Sequence, residues 1–280
     1  MKLVRFGPAG QEKPGIVAPD GTLRDLSGLV ADIDGDALSP DGLARIAQAD
    51  PASLPAAPAG VRLGACIARP VNFIAVGLNY ADHAAEGGMA IPTEPILFTK
   101  APNSLCGPDD DVIMPAGSTR LDWEIELGFV IGTRAHNVSE AEAMDHVAGY
   151  CICNDVSERS WQLEGTGQWM KGKSAPTLGP LGPWLVTKDE IADVDDLAML
   201  LTVEGEPMQD GSTRDLIFKL PVLVSFISRF MELLPGDLVI TGTPAGVGLG
   251  KKPPRYLKAG ETMRLTIDGL GEQRQKVVGG

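Results

Sequence analysis

Residues 121–132 read LDWEIELGFVIG, an apolar strand pattern interrupted on one side by acids. Side chains alternate along a strand, so Leu121, Trp123, Ile125, Leu127 and Phe129 share one face and Asp122, Glu124 and Glu126 the other. That spacing also suits a strand with one side in solvent. The uninterrupted continuation LGFVIG favours the interior, where carboxylates carry desolvation and mutual-repulsion costs unless a positive charge sits among them. A bound cation is the simplest remedy. Side chains two apart emerge about 6.5–7 Å from each other, within reach of one ion for flexible glutamates. Asp155, at the strand-to-loop junction NDVSER, can join as a third carboxylate. An all-oxygen set selects a hard ion, Mg²⁺ or Mn²⁺ and not zinc, and leaves positions for water and substrate.

The surrounding chain must be able to bury such a strand. Its 280 residues suffice for one large domain or a large and a small one. Many glycines and prolines, 34 and 22, with only 5% aromatic residues favour short strands and turns over a helical bundle. A net charge of −13 argues against nucleic acid or anionic membrane surfaces as partners. The N-terminal MKLVRFG has no signal-peptide stretch and no later run approaches a membrane span, which gives a cytoplasmic expectation. The 4 cysteines, at 66, 106, 151 and 153, are too scattered for a disulfide framework and lack zinc spacing, so reduced structural thiols are expected.

Along the chain, residues 1–32 read as a small β-meander turning at Pro19-Asp20-Gly21. A short helix over 41–48 and an Ala/Pro-rich connection follow. This divides the chain into a small N-terminal domain with its connection, 1–60, and a main domain, 61–280. In the latter, RLGACIARP and NFIAVGLNY read as strands. SEAEAMDHVAGY reads as a helix, with Ser139 and Glu142 at capping-box spacing, and LPVLVSFISRFMELLPGD as a core helix entered by Pro221 and stopped by Pro-Gly. LAMLLTVEGEPMQDG should be a hairpin turning at Glu204-Gly205.

Two further segments carry chemistry. In GLNYADHAAEGG, a helical turn puts His83 and Glu86 on one face, where the carboxylate can orient the imidazole as a general base. The segment is too short for a stable helix alone, so it is expected to order over a ligand. A lone surface histidine is the plainer reading of this segment. QLEGTGQWMKGKSAPTLGPLGPW supplies Lys171 and Lys173 in a Gly/Pro-rich loop, either solvated or placed to neutralise a developing oxyanion. The glycines of VITGTPAGVGLG allow close backbone approach to a ligand but lack the phosphate-loop spacing.

Together, and in this order, GLNYADHAAE, LDWEIELGFVIG, NDVSERSWQ, KGKSAPTLGPLGPW and ITGTPAGVG resemble the fumarylacetoacetate hydrolase family from about residue 70 onward. The closing run KKPPRYLKAGETMRLTIDGLGEQRQKV is similar to the bacterial subgroup acting on 2,4-diketo-3-deoxy sugar acids. The resemblance implies a β-rich α+β fold, a mixed β-roll catalytic domain with a small N-terminal β domain, usually as a homodimer with Mg²⁺ or Mn²⁺. Glu124, Glu126 and Asp155 match the metal ligands, and His83 with Glu86 the water-activating dyad on a lid. Lys173 and Gln162 match the oxyanion-side lysine and glutamine. Substrate contacts are expected from Thr243, Gly242, Arg159 and Tyr80. The chain departs from larger eukaryotic relatives in having Asn79 where they add an aspartate ligand, and Ser160 where they carry an acid.

The implied reaction is hydrolysis of the C3–C4 bond of a 2,4-diketo acid to pyruvate and a hydroxy acid such as lactate, the substrate being 2,4-diketo-3-deoxy-L-rhamnonate or -fuconate. Oxaloacetate decarboxylation or tautomerisation and ureidoglycolate cleavage are the enzymatic alternatives. A protein with a purely structural divalent-ion site is the non-enzymatic one.

Overall fold

The computed structural model describes residues 1–280. A ten-stranded mixed sheet and a five-stranded sheet dominate, and the helices are short. The larger sheet runs in the order Leu23–Asp25, Lys13–Val17, Lys2–Phe6, Gly179–Thr187, Val147–Asn154, Ile125–Ile131, Leu238–Ile240, Phe73–Gly77, Ile96–Thr99, with Leu105–Cys106 joined to Gly179–Thr187. The smaller runs Glu206–Ser212, Ala198–Val203, Thr262–Ile267, Gly271–Gly279, Val112–Met114. The architecture is β-rich α+β, and the three N-terminal strands hydrogen-bond to the main sheet through the pairing of Leu3 with Leu185. No helix is long and apolar enough to cross a membrane.

The acid-bearing segment forms Leu121–Asp122 and Ile125–Ile131, broken at Trp123-Glu124. Both faces of the second strand are covered. Ile125, Leu127, Phe129 and Ile131 enter one apolar cluster, while Val130, on the face that carries Glu126, enters another with Cys151, Leu238 and Ile240. Burial on both sides is what the apolar continuation after Glu126 required.

The hairpin turn stands at Glu204-Gly205, with φ of 52° and 79° between Val203 and Glu206. This double positive-φ turn matches strand twist, and glycine at its second position carries no steric cost. The helix Leu220–Ser228 has Pro221 in its first turn and buries Leu220, Leu223, Val224 and Ile227, one stripe at helical spacing. It ends earlier than its apolar sequence suggests, because Leu233 leaves to exchange main-chain hydrogen bonds of 2.9 Å with Ala135.

Two expected elements are absent. Residues 139–149 form no α-helix. Ser139 Oγ does donate to Glu142 Oε2 at 2.6 Å, but only a 3₁₀ turn, Ala143–His146, follows. Val147–Asn154 is captured instead as a strand between two neighbours, so tertiary pairing overrides a local cap signal. RLGACIARP is likewise no strand. Leu63 makes a single bridge to Phe6, and Cys66 and Ile67 are buried without regular structure.

Candidate active site

Strand register assembles the acids. Antiparallel pairing sets Cys153 opposite Glu126 and Asn154 opposite Ile125, so the next residue, Asp155, meets Glu124 and donates its N–H to the Glu124 carbonyl at 2.8 Å. Carboxylate oxygens of Glu124, Glu126 and Asp155 lie within 4.8 Å of one another, and all three side chains are buried. The strand Leu238–Ile240 pairs on the other side and delivers Thr241-Gly242-Thr243 to the same place. There the Gly242 N–H donates to Glu126 Oε2 at 2.7 Å.

Basic side chains interleave with these acids. Lys173 Nζ bridges Glu124 Oε2 at 2.7 Å and Asp155 Oδ2 at 2.6 Å, while Lys100 Nζ takes Asp155 Oδ1 at 2.6 Å. Arg159 places Nε 2.7 Å from Asp122 Oδ2 and Nη2 2.7 Å from Glu124 Oε1. Burial alone would raise the Glu124 carboxyl, but Arg159 and Lys173 hold it well below the usual carboxylate range. Glu126 has no such partner. Burial, and then the charges of Asp155 and Glu124, push it far above that range. A divalent ion shared by the three carboxylates would relieve that strain. Three buried carboxylates at this separation fit a hard ion of the Mg²⁺ or Mn²⁺ kind.

Glu124, Glu126, Arg159 and Lys173 floor a cavity of about 310 Å³ also lined by His83, Glu86, Gln162 and Thr243. Its rim and walls include Met89, Phe98, Leu163, Trp169, Val247 and Leu249. The segment bearing His83 is helical over Ala81–Glu86. Contacts within the chain join this turn to the loop after Thr243. The Gly246 N–H donates to Glu86 at 3.1 Å and the Ala245 N–H to Asp82 at 3.3 Å. His83 Nδ1 stands 3.5 Å from Glu86 Oε2 and is buried without a hydrogen-bond partner. Burial raises the Glu86 carboxyl, yet His83 and the Gly246 N–H outweigh it and keep Glu86 below its ordinary value.

Gln162 accepts from Arg159 Nη1 at 3.0 Å through its carbonyl oxygen, which leaves its NH₂ to donate. The Thr243 hydroxyl is committed, donating to the Ile125 carbonyl and accepting from Gln209 Nε2, each at 2.7 Å. Tyr80 is not brought to the cavity. Its ring lies in the apolar core and its hydroxyl donates to Met199 Sδ at 3.2 Å, so a substrate contact there has no geometric basis. Asn79 does not face the acids either, because its amide bonds the carbonyls of Phe218 and Thr241 and the N–H of Phe218. Sequence reasoning missed Lys100 and the anchoring part of Asp122, which accepts the N–H groups of Gly248 and Leu249 at 2.7 and 2.9 Å. The four cysteines are free thiols.

A mixed β fold with a buried three-carboxylate centre and a histidine–glutamate pair across one cavity defines a class of small-molecule enzyme sites. Residues 72–278 match the family described as fumarylacetoacetate (FAA) hydrolase C-terminal, and the chain belongs to the fumarylacetoacetate hydrolase family. A Burkholderia ambifaria protein provisionally described as a hydrolase is 56% identical over 276 residues, 98% of each chain. The fumarylacetoacetate hydrolase from psychrophilic Exiguobacterium antarcticum superposes with a TM-score of 0.89 at 36% identity over 100% of both chains. Maleylpyruvate hydrolase from Sphingobium sp. SYK-6, in complex with manganese(II) ion and pyruvate, matches with a TM-score of 0.82 at 29% identity, again over 100% of both chains.

Proposed function

We propose that this protein is a divalent-ion-dependent hydrolase that cleaves the C3–C4 bond of a 2,4-diketo acid of the acylpyruvate type, releasing pyruvate and a carboxylic acid. The observation that carries this reading is the placement of the His83–Glu86 pair across one cavity from Glu124 and Glu126, whose carboxylates cluster with that of Asp155. A purely structural ion site has no use for a base beside it.

Glu124, Glu126 and Asp155 would hold Mg²⁺ or Mn²⁺. When bound, such an ion supplies Lewis-acid binding of adjacent carboxylate and keto oxygens. His83, oriented and charge-balanced by Glu86, takes a proton from a water whose oxygen bonds to C4. Lys173 has spent two of its three donors on Glu124 and Asp155. Its third and the Gln162 NH₂ stabilise the oxyanion at C4. The C3–C4 bond then breaks with its electron pair on C3, which takes up a proton to complete pyruvate. The Thr243 main-chain N–H is the group at that position left to meet the substrate carboxylate.

The proposed substrate is 2,4-diketo-3-deoxy-L-rhamnonate or -fuconate, with lactate as the second product, and the proposed assembly is a homodimer. The test is pyruvate release from a panel of 2,4-diketo acids with Mg²⁺, with Mn²⁺ and with chelator, for wild type and His83→Ala. Hydrolysis should fall about 10²–10⁴-fold in the variant, the range for loss of a general base. Oxaloacetate decarboxylation that survives His83→Ala, with no diketo acid cleaved by wild type, would replace this reading with the decarboxylase one. Release of glyoxylate from ureidoglycolate would replace it with the lyase one.

A further inference from the structure

The charges around the cavity floor form a closed set. Asp122, Arg159, Glu124, Lys173, Asp155 and Lys100 are linked by contacts of 2.6–2.7 Å, with Glu126 beside them, and every one is buried. With all four carboxylates ionised, as a bound ion would hold them, four acids against three cations leave one negative charge. A divalent ion reverses it to one positive charge, and a single substrate carboxylate then cancels it.

The cavity lining holds no further permanent cation, and Lys171, on the same short helix as Lys173, is exposed outside it. Arg159 and Lys173 are the lining's two permanent cations, and each already serves two carboxylates. His83, the third basic side chain, faces Glu86, whose acid adds to the negative side. Lys251, next to the lining residue Gly250 but not itself in the lining, directs Nζ at the Met208 carbonyl, 3.4 Å away, and its charge is felt by Glu86. Arg255 lies outside the lining, with Nη2 3.1 Å from Glu261 and its guanidinium over the Trp123 ring. Toward the mouth the walls are apolar, with Phe98 and Trp169 packed edge to face at 5.4 Å and Met89 and Leu163 about two-fifths exposed at the rim.

We infer that the cavity selects monocarboxylate 2,4-diketo acids with an uncharged acyl arm and rejects those with a second carboxylate at the far end. This rests on the hydrolase reading above and sharpens its substrate class. A distal carboxylate would have to shed water against side chains that cannot pair with it. An alkyl or hydroxyalkyl arm meets no such penalty. Fumarylacetoacetate and maleylpyruvate, the substrates for which two structural relatives are named, are dicarboxylates, so the inference sets this chain apart from them.

The experiment compares two acids of equal chain length, 2,4-dioxoheptanoate and 2,4-dioxoheptanedioate, with Mg²⁺. The monoacid should have a kcat/KM about a hundredfold or more above the diacid. Calorimetric binding of 2-oxoheptanoate and 2-oxoheptanedioate, which have no C4 carbonyl to cleave, should rank the same way. Leu163→Lys, which adds a cation at the exposed rim, should narrow the kinetic ratio about tenfold. A diacid turned over or bound as well as the monoacid overturns the inference and leaves the hydrolase reading standing. An unchanged ratio in folded Leu163→Lys overturns the charge argument. If neither acid is hydrolysed with any ion, the hydrolase reading falls and this inference with it.

Discussion

Lys100 Nζ lies 2.6 Å from Asp155 Oδ1 with both side chains fully buried. The two residues are 55 positions apart and meet because Lys100 follows the edge strand Ile96–Thr99 while Asp155 ends the central strand Val147–Asn154. Lys173 takes the other oxygen of the same carboxylate. One acid is therefore gripped from two sides, which fixes its position before any ion is bound.

Replacing Lys100 by Met tests that grip. A buried pair broken on one side typically costs about 3–5 kcal/mol, because the surviving charge stays buried. Lys173 remains on Asp155, so the lower end of that range is expected in urea unfolding. Saturating Mg²⁺ should return part of the loss by supplying the missing positive charge, and the variant should gain more midpoint stability from Mg²⁺ than wild type does. An equal gain in both proteins would contradict the view that Lys100 and an ion compensate the same carboxylates.

Gly250 leaves the space into which Glu86 fits. A Cβ there would fall 2.1 Å from Glu86 Cδ and 2.3 Å from its Cγ. Gly250→Ala must therefore drive Glu86 away from both the Gly246 N–H and His83. The displaced group is a side chain on a half-exposed helix, so global stability should change little. Hydrolytic kcat/KM should fall about a hundredfold, since the histidine loses the group that orients it. A melting temperature close to wild type together with that loss of rate is the signature to look for.

Gly77 plays the corresponding part for the cavity wall. Its Cβ would meet Trp169 Cζ3 at 2.4 Å, and Trp169 packs on Phe98 beneath Lys173. Gly77→Ala should push the indole into the cavity at a cost of about 1–3 kcal/mol, the range for overpacking. Because the wall would meet the acyl arm of the proposed substrate and not its reacting carbons, KM should rise more than kcat falls. Steady-state kinetics with tryptophan fluorescence as a monitor of Trp169 would check both halves of the expectation.

How much of this was legible beforehand depended on whether the determining contacts were local. Glu124 and Glu126 announce themselves because strand alternation acts on neighbouring residues and the apolar continuation signals burial on both faces. His83 and Glu86 are visible as a helical pair, and Pro221 and the Glu204-Gly205 turn are visible for equally local reasons. Lys100 was not. A lysine closing ILFTK has the same local pattern whether it reaches solvent or an aspartate far along the chain. Ser139 and Glu142 show the opposite failure, because their side chains make the expected contact while Val147–Asn154 is taken into the sheet. Tyr80 is expected near substrate from the family resemblance, yet the chain enters the helix Ala81–Glu86 with the ring turned into the core.

The helix that presents Arg159 and Gln162 begins at Glu158, and acid should loosen it there. Glu158 accepts the Arg120 N–H at 3.0 Å and the Ser160 N–H at 3.1 Å, and the hydroxyls of Ser118 and Ser160 also donate to it. Burial raises its carboxyl, but these donors outweigh burial and hold it below its ordinary value of 4.5. A depressed folded value means the unfolded chain binds the proton first, so the stabilisation is complete above about pH 4.5 and drains away as pH falls through the lower folded value. Glu158→Gln should cost about 1 kcal/mol at pH 7, as for loss of a helix cap. The gap between wild type and variant should shrink as urea midpoints are taken from pH 7 down to about pH 3. A gap that stays constant across that range would show that the carboxylate's charge contributes nothing to holding Arg159 and Gln162 at the cavity.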